Sequence, residues 1–115
     1  MCELNLNEIL EEVIEDATKA DIPISKKINR QIVIDHNIEQ RAGICYRNLD
    51  TYEIHLSYKT TKGKEKSIKD VVAHEVMHTC FCCMNHNFFW KHYSQIMNEK
   101  YGYNIKVKYK WSDIL

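Results

Sequence analysis

The chain has 115 residues, and its 16 basic side chains balance its 16 acidic ones, so the formal net charge is zero at pH 7. That length fits one domain spanning residues 1–115, and the zero net charge gives no overall attraction to a polyanion. With 44% hydrophobic and 28% charged residues, the composition is that of a globular protein and excludes a disordered one. Because no apolar run approaches about 18 residues and no basic-then-apolar signal opens the chain, we expect a cytoplasmic protein without membrane contact.

The cysteines argue for the same compartment. There are five of them, an odd number, and three crowd together at positions 80, 82 and 83. This is not the pattern of a disulfide framework, and it fits a reducing cytoplasm.

An amphipathic helix is predicted over residues 6–20, with Asn5 or Asn7 able to cap it. Its apolar positions recur at helical spacing, and they are Leu6, Ile9, Leu10, Val13, Ile14 and Ala17. A polar stretch containing Pro23 separates this helix from the next element.

A small, mostly antiparallel sheet should follow. The run QIVID at residues 31–35 is rich in β-branched side chains and predicts a strand. Residues 41–47 and 51–58 predict a hairpin that turns at residues 48–50, since apolar and polar side chains alternate along its second strand. Arg41, at the start of the hairpin, could touch a substrate or form a structural ion pair.

The next predicted element carries the chemistry. His74-Glu75-Val76-Met77-His78 is an H-E-x-x-H pattern, and Ser67-Ile68-Lys69-Asp70 just before it is a variant of the capping box that opens helices. On a helix, His74 and His78 lie one turn apart, about 6 Å, and both imidazoles can reach one Zn²⁺ at about 2.1 Å. Glu75 is rotated away from the metal but can take a proton from a water bound to it. A zinc site with an open fourth position is typical of hydrolases.

The third ligand requires a break in that helix. On a straight helix His86 would lie about 12 Å beyond His78, at about 1.5 Å per residue, so it could not share the metal. We therefore predict a turn near Asn85 and a second helix over about residues 86–100 that returns His86 to the site. Glu99 is the main competing ligand, and Cys82 or Cys83 is a further one. The extended pattern H-E-x-x-H-x-x-G-x-x-H is excluded, because position 81 is Phe and position 84 is Met.

The C-terminal part shows the cleanest alternation in the chain. After a helix stop at Gly102, apolar residues at 103, 105, 107, 109 and 111 alternate with Asn104, Lys106, Lys108 and Lys110. This period of two predicts a last strand with one buried face. The lysines would either protect a sheet edge or contact nucleic acid.

Two segments resemble the SprT-like zinc metallopeptidase domain, the zincin domain that also occurs in the DNA–protein-crosslink protease Spartan. They are HEVMHTCFCCMNHNFFWKHYSQIMNEKYGYN and the upstream Arg41-Ala42-Gly43-Ile44-Cys45, which is similar to the family's R-x-G-x-C segment. The resemblance implies a zincin-like α+β fold and one Zn²⁺ per chain, with ligands His74, His78 and His86 and with Glu75 as the catalytic residue. Asn87 stands where the family often has Gly, and no C-terminal zinc ribbon is expected, because no cysteine follows Met84.

These inferences predict a zinc metalloendopeptidase that hydrolyses peptide bonds with a Glu-activated, zinc-bound water. The expected partners are protein or peptide substrates and, through the family's link to DNA, DNA or DNA-bound proteins. Three side chains are candidates for the group that stabilises the oxyanion: His92, Tyr93 and Tyr101. The alternative is a non-catalytic, zinc-containing module that docks on nucleic acid or protein.

Overall fold

The structure, a computed structural model, describes residues 5–115. Over these residues the chain forms an α+β fold in which a small sheet lies against helices. The elements in order are α1 (Leu6–Lys19), β1 (Val33–Asp35), β2 (Gly43–Asn48), β3 (Thr51–Ser57), a 3-10 turn (Thr60–Lys62), α2 (Glu65–Met77), α3 (Phe88–Tyr101) and α4 (Trp111–Ile114).

Helix α1 forms where the sequence predicts it. The side chain of Asn5 accepts hydrogen bonds from the backbone N–H groups of Asn7 and Glu8, as an N-cap does. The apolar stripe of the helix is buried, and it packs mainly on α2. This stripe consists of Ile9, Leu10, Val13, Ile14 and Ala17.

The three strands form one mixed sheet in the order β1-β3-β2. The hairpin of β2 and β3 is antiparallel, as predicted, whereas β1 pairs in parallel with β3. Ile54 and Leu56 of the central strand are fully buried in the core that the sheet shares with the helices. β2 also packs on α2, and this contact brings the edge of the sheet to the helix that carries the H-E-x-x-H residues.

Helix α2 begins earlier than the capping-box interpretation predicts, at Glu65, with Lys64 as the N-cap. The hydroxyl of Ser67 does not cap the helix; it donates a hydrogen bond to the carbonyl of Asp113 in α4. The predicted cap is therefore wrong because a tertiary partner takes the serine side chain.

The predicted C-terminal strand is also wrong. Residues 102–110 form a loop, which we call the C-terminal loop, and residues 111–114 form the short helix α4. Side chains take the place of a neighbouring strand, because the N–H of Asn104 bonds to Asp70 and the N–H of Ile105 bonds to Asn98. The alternation buries Tyr103 and Ile105 but leaves Val107 46% exposed, so no continuous apolar face exists.

None of the helices within residues 5–115 combines the length and the apolar character that a bilayer crossing requires.

Candidate metal centre

Helix α2 places His74 and His78 side by side. Both side chains are buried, and each donates its Nδ1 proton to a backbone carbonyl: His74 to Lys106 at 2.6 Å and His78 to Cys83 at 2.7 Å. Because a carbonyl oxygen can only accept a hydrogen bond, these contacts fix the proton on Nδ1 of each neutral ring. The Nε2 atoms of both rings are then free to act as ligands.

His86 reaches the same place through a break in the helical path. α2 ends at Met77, and the following loop contains Cys82 in a left-handed conformation, with φ of 61°. Asn87 then caps α3 by accepting a hydrogen bond from the N–H of Trp90 at 2.9 Å. The predicted break is confirmed, but the capping residue is Asn87, two positions beyond the predicted turn. The Nε2 atom of His86 lies 3.0 Å from that of His74.

The three imidazoles fit a metal ion. One nitrogen from each ring lies within 4.8 Å of the other two. The Nε2 atoms of His74 and His78 are 3.3 Å apart, close to the separation of about 3.3 Å that two nitrogens have on a tetrahedral Zn²⁺ with bonds of about 2.0–2.1 Å. With both protons on Nδ1, two lone pairs face each other across this gap, an arrangement that a cation between them would stabilise. These three residues could hold a metal ion.

Burial keeps the three imidazole rings neutral, which is the protonation state that a metal ligand requires. Desolvation lowers the pKa of His74 to about 3, with a further lowering from the neighbouring His78. Burial also lowers the pKa of His78 and that of His86. Neutral imidazoles at pH 7 are available for coordination without first losing a proton.

Trp90 forms a buried wall behind the three rings. Its side chain is 1% exposed, and its ring centre lies 4.7 Å from those of His74 and His86 and 5.5 Å from that of His78. Its indole N–H donates to the carbonyl of His74 at 3.3 Å. The indole therefore holds the histidines on one side and excludes water there.

Glu75 lies beside the histidines, with Oε2 3.8 Å from Nε2 of His74. Burial raises the pKa of its carboxyl to about 8, while the charge of Arg41 and a hydrogen bond from the backbone of Cys45 lower it. Gly43 of β2 makes room for this carboxyl, because a Cβ there would lie 3.4 Å from Oε2 of Glu75 and 2.8 Å from the carbonyl of His55. The second of these distances is too short for any side chain.

The competing ligands lie elsewhere. Glu99 is exposed on α3 and accepts a hydrogen bond from Gln95. Cys82 is exposed. Cys83 accepts a hydrogen bond from His78 with its backbone carbonyl, and its thiol forms a hydrogen bond with the thiol of Cys80; both cysteines are free. Within residues 5–115, the only group of ligand side chains close enough to share an ion is that of the three histidines.

Among residues 5–115, no ring contact joins the oxyanion candidates His92, Tyr93 and Tyr101 to the three histidines. His92 is exposed and stacks on Phe88, and Tyr93 packs against His92. Arg41 acts on the site by its charge, which lowers the pKa of both Glu75 and His86. No ion pair within the described part of the chain includes its guanidinium, so the structural ion pair that the sequence left open is not seen there.

Sequence reasoning missed the groups that orient the histidines. The carbonyls of Cys83 and Lys106 leave no trace in side-chain identity, and nothing in the sequence separates Trp90, the first buried residue of α3, from the exposed Phe88 and Phe89 before it. The C-terminal loop could not be placed at the site while it was expected to be a strand.

The comparison with family models agrees with this geometry. The model described as the SprT-like family matches residues 6–110, which is nearly the whole chain and includes both the hairpin and the three histidines. No curated protein and no solved structure gives a significant match. Because this family model covers nearly the whole of the chain, the chain is a member of the SprT-like family.

Proposed function

We propose that this protein is a zinc-dependent metallopeptidase. The observation that carries the proposal is the convergence of three imidazole nitrogens next to one buried carboxyl group, that of Glu75. Three nitrogen ligands with an open side are the pattern of catalytic rather than structural zinc sites. Zn²⁺ is the metal that this donor set and its near-tetrahedral spacing favour.

The open side of the site faces solvent at His86, whereas Trp90 closes the opposite side. In this proposal a peptide approaches from the exposed side, that of His86. Zn²⁺ held there would supply Lewis acidity, which lowers the pKa of a water molecule and polarises a carbonyl group.

In the proposed mechanism Glu75 moves the proton. As the carboxylate it accepts the proton of the attacking water while the oxygen of that water bonds to the carbonyl carbon of the substrate. The same carboxyl then gives the proton to the amide nitrogen as the C–N bond breaks, so one peptide bond and one water become a carboxylic acid and an amine. Arg41, whose charge reaches Glu75, favours the ionised form that the first step requires.

Proteins and peptides are the proposed substrates, and proteins held on DNA are included among them. The C-terminal loop supports the proposal of DNA-held substrates. It carries Lys106, Lys108 and Lys110, and its backbone contacts His74 at the metal site. Nucleic acid bound to these lysines would bring an attached protein to the metal site.

The test is hydrolysis of labelled casein by the zinc-loaded protein, with and without single-stranded DNA. Glu75→Gln should reduce the rate by at least about 100-fold, the range for loss of a general base, while one zinc per chain remains bound. Glu99→Gln is the matched control, because it neutralises an exposed carboxylate on α3, and it should retain the full rate.

Full activity of Glu75→Gln would overturn the mechanism. A zinc-loaded native chain that hydrolyses nothing under any of these conditions would favour the alternative, a zinc-containing binding module.

A further inference from the structure

The C-terminal loop crosses α2 on the face that bears the metal site. Asp70 and His74 are four residues apart on this helix, so their side chains lie on one face. The loop binds to both: the N–H of Asn104 donates to the Asp70 carboxylate at 3.0 Å, and the carbonyl of Lys106 accepts the Nδ1 proton of His74 at 2.6 Å.

One side-chain hydroxyl connects these two contacts. The oxygen of Tyr109 accepts a hydrogen bond from the N–H of Lys106 at 3.1 Å. Its own proton points to the carbonyl of Asp70 at 3.2 Å, with the carbonyl of Asn104 as a second acceptor at 3.3 Å. The hydroxyl therefore ties Lys106, which orients His74, to the turn of α2 that precedes His74.

A loop needs such a tie because it lacks the regular hydrogen bonds of a strand. The position of the Lys106 carbonyl depends on the backbone of residue 106, and its amide is held only by Tyr109 among the described residues. Without the hydroxyl, this amide would turn towards another partner and move the carbonyl away from His74. A ligand histidine that loses its orienting acceptor loses its fixed tautomer and binds metal more weakly.

We propose that Tyr109 is a positioning residue of the metal site, which acts through the carbonyl of Lys106 on His74. The inference rests on the metal binding that the proposed function includes, and not on hydrolysis. Tyr109 is not a catalytic residue, since its hydroxyl is occupied by three backbone groups.

The ring of Tyr109 contributes separately from its hydroxyl. Its centre lies 5.7 Å from that of His74 in an edge contact, and Tyr109→Phe retains this packing. The substitution thus removes only the hydroxyl.

The experiment is a zinc competition titration against a chromophoric chelator. Tyr109→Phe should raise the Kd for zinc by about 10- to 100-fold, the usual effect of losing an outer partner of a ligand. Tyr103→Phe is the matched control: it removes another hydroxyl of the same loop, but one that donates to Asp16 on α1. Its Kd should stay within about twofold of the native value, because α1 holds no ligand.

Equal zinc affinity of Tyr109→Phe and the native protein would overturn the proposal. An equal loss in Tyr103→Phe would also overturn it, since the effect would then be one of general stability. A native chain that binds no zinc would instead refute the proposed function, so the two failures are distinguishable.

A measurement on the native chain covers the case in which Tyr109→Phe does not fold. In the metal-free protein, nitrogen-15 NMR should find the Nδ1 proton on His74, and the amide of Lys106 should be protected from hydrogen exchange. An unprotected Lys106 amide, or a proton on Nε2 of His74, would contradict the contacts on which the proposal depends.

Discussion

The two sides of the metal centre are built in different ways. His74 and His78 are fixed by a regular helix, where a spacing of four residues places both rings on one face. His86 and the two orienting carbonyls come from loops, residues 78–87 and the C-terminal loop. The contact of the C-terminal loop with His74 joins residues 32 positions apart, whereas the hydrogen bonds of Cys83 and Cys82 within residues 78–87 span five positions. The helical side is encoded by a regular repeat, and the loop side is encoded by individual hydrogen bonds outside that repeat.

The difference predicts where substitutions act. On the helical side, we expect the large effects to come from changes that remove a ligand or Glu75. On the loop side, changes at residues that never touch the metal can weaken it, as proposed for Tyr109.

The largest expected effect is the loss of the loop-borne ligand. Native protein should bind one zinc per chain, and His86→Ala should weaken zinc binding by more than about 100-fold, because removing a direct ligand costs more than removing an outer partner. Metal content after dialysis and a competition titration measure this. Glu99→Ala is the control and should bind zinc like the native chain; a loss in that variant instead would move the third ligand to α3.

A smaller effect should appear at Glu75 as a proton released on metal binding. In the metal-free protein the pKa of Glu75 is about 8, so at pH 7 most of the carboxyl is protonated. Zn²⁺ nearby favours the ionised form, and the histidines are already neutral because their pKa values are lowered. Zinc binding at pH 7 should therefore release about one proton per chain.

Calorimetry in two buffers with different ionisation enthalpies measures that release, and Glu75→Gln should abolish it. The raised pKa of Glu75 also determines how the stability of the metal-free fold changes with pH. The folded metal-free chain holds a proton on Glu75 that the unfolded chain loses above its ordinary pKa of 4.5, so this group makes the fold less stable as pH rises from 4.5 to about 8. A release of no proton from the native protein would contradict the raised pKa.

The smallest expected effect on zinc is that of the loop lysines. Replacing Lys106, Lys108 and Lys110 together by Gln should leave the Kd for zinc within about twofold, because the group that orients His74 is a backbone carbonyl. If these lysines contact phosphates, the same variant should lose DNA affinity and show a shallower dependence on salt between about 50 and 200 mM. DNA binding that is unchanged in this variant would remove the lysines from the proposal.

Local periodicity explains what could be predicted from the sequence. The helix over residues 6–20, the hairpin and the H-E-x-x-H helix each repeat their apolar residues with one clear period, and each is present in the structure. The break before His86 was also predictable, since one metal cannot be reached along a straight helix. The resemblance to the SprT-like family pointed to the same three histidines.

The C-terminal loop could not be predicted in this way. Its alternating sequence fits the pattern of a strand. In the structure, however, the side chains of Asp70, Asn98 and Tyr109 accept hydrogen bonds from its backbone N–H groups, which are therefore not paired with a neighbouring strand. Asp70 lies 34 residues before Asn104, Asn98 binds through its side-chain amide oxygen and Tyr109 binds through its hydroxyl, so the apolar–polar alternation of the loop does not reveal these contacts. The same contacts bring the Lys106 carbonyl to His74. The sequence alone therefore did not reveal the group that orients this histidine.

Trp90 gives the protein an optical signal of its own. The chain has two tryptophans, and Trp90 is the one that packs against all three histidines, while Trp111 lies under Lys59. Protonation of these rings or the arrival of a paramagnetic ion such as Co²⁺ would quench the emission of the buried indole at contact distance. The fluorescence of Trp90, with Trp111 replaced by Phe, can thus report occupancy of the histidine cluster without any attached dye.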